Sequence, residues 1–197
     1  MPTPSLDAQK KRLRQIMLAE AESISAQDAL AAGKAISKRL ADWSSWRSSS
    51  VVALFATLRG EIDSQPLIEL AQRDGKQLLF PRMRVGQTLE FAVVEEMESL
   101  RPGRYGVLEP DLNCPVQPMT ADTIVLVPGC AFDRAGGRLG RGAGYYDRAL
   151  TSSWDQAGRP RFIGVGFERQ VVASVPMSSF DVQMDGIVTE AGLFLRA

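Results

Sequence analysis

The chain contains no histidine. That removes the Ser-His-Asp triad, the Cys-His pair and every imidazole metal ligand, so any chemistry has to rest on carboxylates, Lys, Arg, Tyr and backbone groups. Cysteine is scarce too, and Cys114 and Cys130 are too few for a disulfide framework or a cysteine zinc site. No apolar run approaches the roughly 20 residues that span a bilayer, and the first residues do not resemble a signal peptide. An excess of one charge is missing as well. With 23 Lys and Arg against 23 Asp and Glu, the molecule has no overall field to draw in nucleic acid or an acidic membrane. The expectation is a cytoplasmic monomer that acts on small molecules, with no nucleic-acid or membrane partner. Phosphoryl transfer suits the residue types that remain, because positioning and charge neutralisation do most of its work.

What is present is a chain of 197 residues, 45% hydrophobic and 23% charged, long enough for a single domain over residues 1–197 with a substantial core. Ser5 to about Glu22 reads as a helix with Ser5 as N-cap and Leu6, Leu13, Ile16, Met17 and Leu18 on its apolar face. A second helix is expected over Ala26 to Trp43, with Leu30, Ile36 and Leu40 inward and Trp43 and Trp46 as packing anchors. Strands are expected at Val51–Phe55, Gln77–Phe80, Leu89–Val94, Ile124–Val127, Arg161–Gly166 and Gly186–Thr189, and further helices at Leu67–Arg73 and from Tyr145 to about Trp154. Ser64 reads as the cap of the Leu67–Arg73 helix, Pro81 as the end of the second strand, and Glu95, Glu96 and Glu98 as a solvated face. This alternation implies an α/β fold: a single three-layer, Rossmann-like domain with a mainly parallel sheet, helices on both faces and ligands at the carboxyl ends of the strands.

One stretch dominates, from Ile124 to Arg148: IVLVPGCAFDRAGGRLGRGAGYYDR. A buried strand ends at Pro128-Gly129. The glycines Gly136, Gly137, Gly140, Gly142 and Gly144 then surround Arg138 and Arg141, and a helix starts near Tyr145. Glycines let backbone N–H groups approach a ligand, a helix N-terminus adds partial positive charge, and arginines present forked donors to phosphate oxygens. The stretch reads as a phosphate-holding loop or as a plain turn. It is not a P-loop, since no Gly-Lys-Ser/Thr closes it, and its glycines come too late after the strand for the dinucleotide fingerprint.

The complete string is similar to the signature of the 5-formyltetrahydrofolate cyclo-ligase family, also called 5,10-methenyltetrahydrofolate synthetases. Pro128, Gly129, Phe132 and Asp133 match its first part, and Arg138, Leu139, Gly140, Gly142, Gly144, Tyr145, Tyr146 and Asp147 its second. The resemblance continues over most of the chain. Lys10, Leu13 and Arg14 match the family's N-terminal Lys-x-x-Leu-Arg helix, although Ala21 and Glu22 stand where a further Arg is frequent. Glu61-Ile62-Asp63-Ser64 matches a Glu-Ile/Val-Asp/Glu-Thr element, with Ser64 in place of Thr. Pro81-Arg82 and Tyr105-Gly106-Val107-Leu108-Glu109-Pro110 match two further segments, and Phe180 stands where many members carry His.

The resemblance implies ATP-dependent closure of 5-formyltetrahydrofolate to 5,10-methenyltetrahydrofolate with release of ADP and phosphate, through a phosphorylated formyl group. It implies Lys10, Glu61, Arg138 and Arg141 as catalytic residues. ATP would be held by Lys10, Lys11, Arg12, Leu13 and Arg14 and by the loop from Arg138 through Leu139, Gly140, Arg141, Gly142, Ala143 and Gly144 to Tyr145 and Tyr146. The folate would meet Ala56, Glu61, Tyr105 and the same loop from Arg141 through Gly142, Ala143 and Gly144 to Tyr145. Mg2+, arriving with ATP, would be held by Asp147 and Asp185. Plainer readings stay open beside these: a solvated basic face for the first helix, helix-entry acids for Glu61 and Asp63, a turn aromatic for Tyr105, a first-turn acid for Asp147 and a turn residue for Asp185. Two other functions stay open as well. One is a phosphosugar or CoA-ester enzyme on a related scaffold; the other is a folate- or nucleotide-binding regulator without turnover.

Overall fold

The structure is a computed structural model that describes residues 4–86, 88–103, 106–152 and 158–196, and one seven-stranded sheet organises it. In sheet order the strands are β11 (Leu193–Leu195), β10 (Gly186–Val188), β9 (Arg161–Val165), β6 (Thr123–Pro128), β1 (Val51–Ala53), β2 (Gln77–Arg84) and β3 (Thr88–Val93). The middle five run parallel, and β3 and β11 close the edges antiparallel. Side chains alternate across each strand. Val52, Ile124, Leu126, Ile163 and Val165 therefore share one face, covered by α2 (Ala26–Asp42), α3 (Ser44–Ser48) and α4 (Gln65–Arg73) through Ile36, Leu40, Trp46 and Leu67. Ala53, Val125, Val127 and Phe162 share the other, under Ala149 and Leu150 of α5 (Tyr145–Ser152). This is the α/β, mainly parallel, two-sided arrangement that the alternating pattern implies.

Two short hairpins lie outside the main sheet: β4 (Leu100–Pro102) with β5 (Leu108–Pro110), and β7 (Ala131–Phe132) with β8 (Arg138–Leu139). The second is buried within the glycine-rich stretch. Met17, Leu13 and Leu18 of α1 (Leu6–Ala21) pack against its Ala131 and Leu139, so the first helix is docked directly on the loop region. Beneath the hairpin, Phe132 is fully buried against three glycines. A Cβ at Gly164, Gly166 or Gly129 would come within 2.6, 2.7 or 2.8 Å of its ring. Their lack of side chains makes the slot that this ring fills.

The capping signals hold in part. Ser5 accepts a hydrogen bond from the Ala8 N–H at 3.3 Å, and Ser25 and Asp28 form a reciprocal capping box at the start of α2. At α4 Ser64 holds the N-cap position but makes no side-chain capping bond. The Ser64 hydroxyl turns to Thr57 at 2.9 Å, and Asp63 accepts from the Gln65 N–H instead. Strand β2 also does not stop at Pro81 but runs on to Arg84. Beyond the Ala53–Leu79 pair β1 has ended, so β2 is an edge on that side and tolerates a residue without an N–H. Leu30 and Ile16, expected inward, are exposed, and the small Ala32 and Gly33 occupy the buried side of α2. Trp43 and Trp46 are buried as anchors, and Glu95, Glu96 and Glu98 are solvated.

Candidate active site

After β1 the chain proceeds outward to β2 on one side, whereas β6 leads to β9 on the other. The crevice between β1 and β6 is thus the point where strand order reverses, and ligands bind outside the carboxyl ends of strands at such a point. A cavity of about 410 Å³ lies there. Phe55, Ala56, Leu58, Met83 and Leu89 give it apolar walls, and Tyr145 and Tyr146 contribute rings from the start of α5. Its size and apolar lining suit a flat heterocycle.

Asp133 builds the loop above it. One carboxylate oxygen accepts from the N–H groups of Ala135 and Gly137 at 2.9 and 2.8 Å, and the other from Val175 N–H at 2.7 Å. Gly136 (φ 90°) and Gly137 serve this turn rather than a ligand, since a Cβ on either would lie 2.4 Å from Met184 O or Asp133 Oδ2. Gly142 and Gly144, at φ 105° and 67°, carry the loop past the cavity into α5.

Three arginines of this region and Lys10 of α1 are each held by a carboxylate or carbonyl. Arg138 is buried, donating to Asp147 Oδ1 at 2.9 Å and Pro128 O at 3.2 Å. Its Nε meets no acceptor among the described residues. Arg141 is half-exposed and donates from Nε and a terminal nitrogen to Glu61 Oε1 at 3.1 and 3.0 Å. The other Glu61 oxygen accepts from Leu58 N–H at 3.1 Å. Arg14 donates to Gly140 O at 2.9 Å. Lys10 pairs with Asp181 and reaches the Ser178 hydroxyl at 3.4 Å, which joins α1 to the segment before β10. Burial pushes the Tyr146 phenol well above its ordinary value, helped by Glu61 and opposed by Arg138, so it stays a neutral hydroxyl. Burial likewise pushes the Cys130 thiol up, against the pull of Arg141 and Arg14, and a protonated thiol is no nucleophile.

A second, wider trough of about 810 Å³ adjoins the first. Arg148, Arg159 and Arg196 line it together with Thr151 and the exposed ring of Phe180. Asp147 lines both spaces. One is apolar and one is rich in arginine, and the carboxylate stands where they meet.

The model of the 5-formyltetrahydrofolate cyclo-ligase family matches residues 6–190. The chain belongs to that family. The protein is an enzyme of the cyclo-ligase class. It is similar to the Escherichia coli K12 5-formyltetrahydrofolate cyclo-ligase, 33% identical over 141 residues that cover 70% of this chain and 76% of that one. The solution structure of Aquifex aeolicus 5,10-methenyltetrahydrofolate synthetase matches with a TM-score of 0.80 at 28% identity, over 94% of this chain and 92% of that one. A synthetase from Mycoplasma pneumoniae, 20% identical with a TM-score of 0.69 over 92% and 98% of the chains, shares the fold.

Not every cyclo-ligase site residue named from the sequence comes to the cavity. Ala56, Glu61, Arg138, Gly140, Arg141, Ala143, Gly144, Tyr145, Tyr146 and Asp147 line it. Arg14 lies against Gly142 and Gly140, and Lys10 reaches the trough through Asp181. Lys11 and Arg12 of α1 are exposed and make no hydrogen bond or ion pair among the described residues. Tyr105 lies outside the described residues. Asp185 is the clearest departure. Arg159 donates to both its oxygens at 2.6 and 2.7 Å, Phe162 N–H adds a third bond at 2.8 Å, and it lines neither space. Among the described residues no cluster of three or more His, Cys, Asp or Glu could hold an ion alone. Sequence reasoning missed Asp181, which has no spacing signal toward a lysine 171 positions away, and Glu109, which stood in a quoted motif without a role.

Proposed function

We propose that this protein converts 5-formyltetrahydrofolate to 5,10-methenyltetrahydrofolate, with ATP as the phosphoryl donor. The observation that carries the reading is the position of Asp147 on both spaces, which gives a flat folate headgroup and a triphosphate one meeting point. The pterin would lie against Leu58, Met83 and Tyr146, near Glu61. The phosphates would run from the trough past Asp147 to the loop from Gly140 to Gly144, with Lys10 and Arg14 of α1 and Arg141 neutralising charge.

The formyl oxygen is an amide oxygen and a poor leaving group. Transfer of the γ-phosphoryl to it expels ADP and gives an imino-phosphate. Nitrogen-10 then attacks the formyl carbon and loses its proton, and the C–O bond breaks as phosphate leaves. Arg141 is suited to follow this charge, since its pair with Glu61 is half-exposed and can be traded for a phosphate contact. Arg138 is committed within the protein and acts by fixing Asp147.

Asp147 is the residue we assign to Mg2+. One of its oxygens accepts from Arg138 and from Val182 N–H, and the other accepts no hydrogen bond among the described residues. A single carboxylate oxygen supplemented by phosphate and water suits Mg2+, whose charge would shield the phosphate oxygens. Asp185 takes a structural role in this reading, because Arg159 and Phe162 N–H already occupy it. The chemical step has a direct test. Substrate labelled with ¹⁸O in the formyl group should deliver the label to inorganic phosphate during turnover. Label left in water or in formate contradicts phosphorylation of the formyl oxygen.

A further inference from the structure

The two cations of α1 that the phosphates call for are turned to other partners. Lys10 and Arg14 line neither the apolar cavity nor the trough. Each is held one layer back by an acceptor within the protein. Arg14 donates to Gly140 O at 2.9 Å, and its Cζ lies 3.3 Å from where a Cβ of Gly142 would stand. Lys10 pairs with Asp181 and reaches the Ser178 hydroxyl at 3.4 Å. Of that ion pair it is Asp181 that lines the trough. An anion in that space therefore meets the carboxylate of the pair rather than its ammonium.

The Lys10–Asp181 pair is placed so that it can be exchanged. Its two side chains keep 14% and 18% of their surface exposed, against 2% for Arg138 in its pair with Asp147. Asp181 does not depend on Lys10 alone. The same oxygen, Oδ2, accepts from the Ser178 N–H at 2.5 Å and from the Ser178 hydroxyl at 2.8 Å. If the ammonium leaves, the carboxylate keeps both donors and its contact with water, so no buried charge is stranded. Helix α1 is also seated by more than this pair, because Leu13, Met17 and Leu18 pack on the β7–β8 hairpin. A lysine ammonium is a compact charge on a flexible four-carbon stem, and it can change partners while the helix stays docked.

We propose that the Lys10–Asp181 pair is an autoinhibitory latch, which withholds Lys10 from the trough until a polyphosphate draws the ammonium away from Asp181. This rests on the assignment of the trough and the glycine loop to the phosphates of ATP. The latch lowers the apparent affinity for phosphates, since a site that is competent in only a fraction of molecules binds weaker by that fraction. Asp181 thus opposes the binding that Lys10 favours, and removing it should release the lysine for the ligand.

The test is a double-mutant cycle on the binding of inorganic tripolyphosphate, measured by titration calorimetry in metal-free buffer, with Tm followed in parallel. Metal-free buffer keeps the ion assigned to Asp147 out of the comparison. The four proteins are wild type, Asp181→Asn, Lys10→Ala and the double variant. Release from a charge-assisted bond predicts that Asp181→Asn binds tripolyphosphate about tenfold tighter than wild type, even though its Tm is lower. In the Lys10→Ala background the same replacement should give a clearly smaller gain, because no lysine is there to be released. Simple repulsion between Asp181 and the anion gives the opposite pattern. The gain is then at least as large without Lys10, whose charge no longer offsets the carboxylate. That outcome overturns the proposal, as does an Asp181→Asn variant that binds no tighter than wild type. If Asp181→Asn does not fold, Asp181→Ser carries the same cycle. Wild-type protein that binds neither tripolyphosphate nor Mg-ATP overturns the functional reading itself.

Discussion

Asp147 and Asp185 carry one chemical group, and their surroundings separate their roles. Asp147 lines both spaces and accepts from the buried guanidinium of Arg138 on one oxygen, while the other accepts no hydrogen bond among the described residues. Asp185 is saturated by Arg159 and the Phe162 N–H. Asp147→Asn should therefore raise the Mg2+ concentration for half-maximal activity. It should also lower stability, because Arg138 is left with no carboxylate; breaking such a pair costs about 3–5 kcal/mol at full burial, and less here because Asp147 is partly exposed. Asp185→Asn should lower Tm and leave the Mg2+ profile at its wild-type position. Titrating activity with Mg2+ at fixed ATP, beside thermal melts, checks both. A wild-type profile for Asp147→Asn, or a shifted one for Asp185→Asn, would reverse the assignments. At this scale the sequence showed residue types and motif positions but not what each side chain faces. The Glu61–Arg141 pair joins residues 80 positions apart, and nothing local announces it.

Elements decide which residues meet. Helix α1 was legible from its period and its Ser5 cap, yet its docking on the β7–β8 hairpin was not, because two-residue strands are too short to show alternation. The same limit hid β4–β5. That docking turns Lys10 toward Asp181, so one ion pair ties the first helix to the segment before the last parallel strand. Burial alone would raise the Asp181 carboxyl, but hydrogen bonds from Lys10 and Ser178 outweigh it and hold it below the ordinary carboxylate value. The sign follows from linkage. A carboxylate depressed in the folded state stabilises the protein above its unfolded pKa of about 3.9, and that contribution is lost as pH falls through the folded value. Asp181→Asn should thus melt below wild type at neutral pH, by about 2–8 °C for a loss of about 1–2 kcal/mol. The gap should close as pH drops under about 4. A gap that stays constant through that window would mean that the ion pair adds nothing to the docking of α1.

For the whole molecule, the strand–helix alternation was enough to set the layers, since buried parallel strands read as apolar runs and need helices on both faces. The place of the site followed from the reversal of strand order at β1 and β6. What composition could not convey was the pairing of an apolar cavity with an arginine-lined trough across Asp147, because that pairing arises from loops that start far apart in the chain. This geometry asks for two ligands used together. Its most direct test is to follow near-ultraviolet absorbance of methenyltetrahydrofolate when the purified protein is given 5-formyltetrahydrofolate and Mg-ATP, with ADP measured in the same samples. The account predicts methenyl product and ADP in equal amounts, and neither when one ligand is omitted. Binding of both ligands without product, or ADP release without cyclisation, would contradict it.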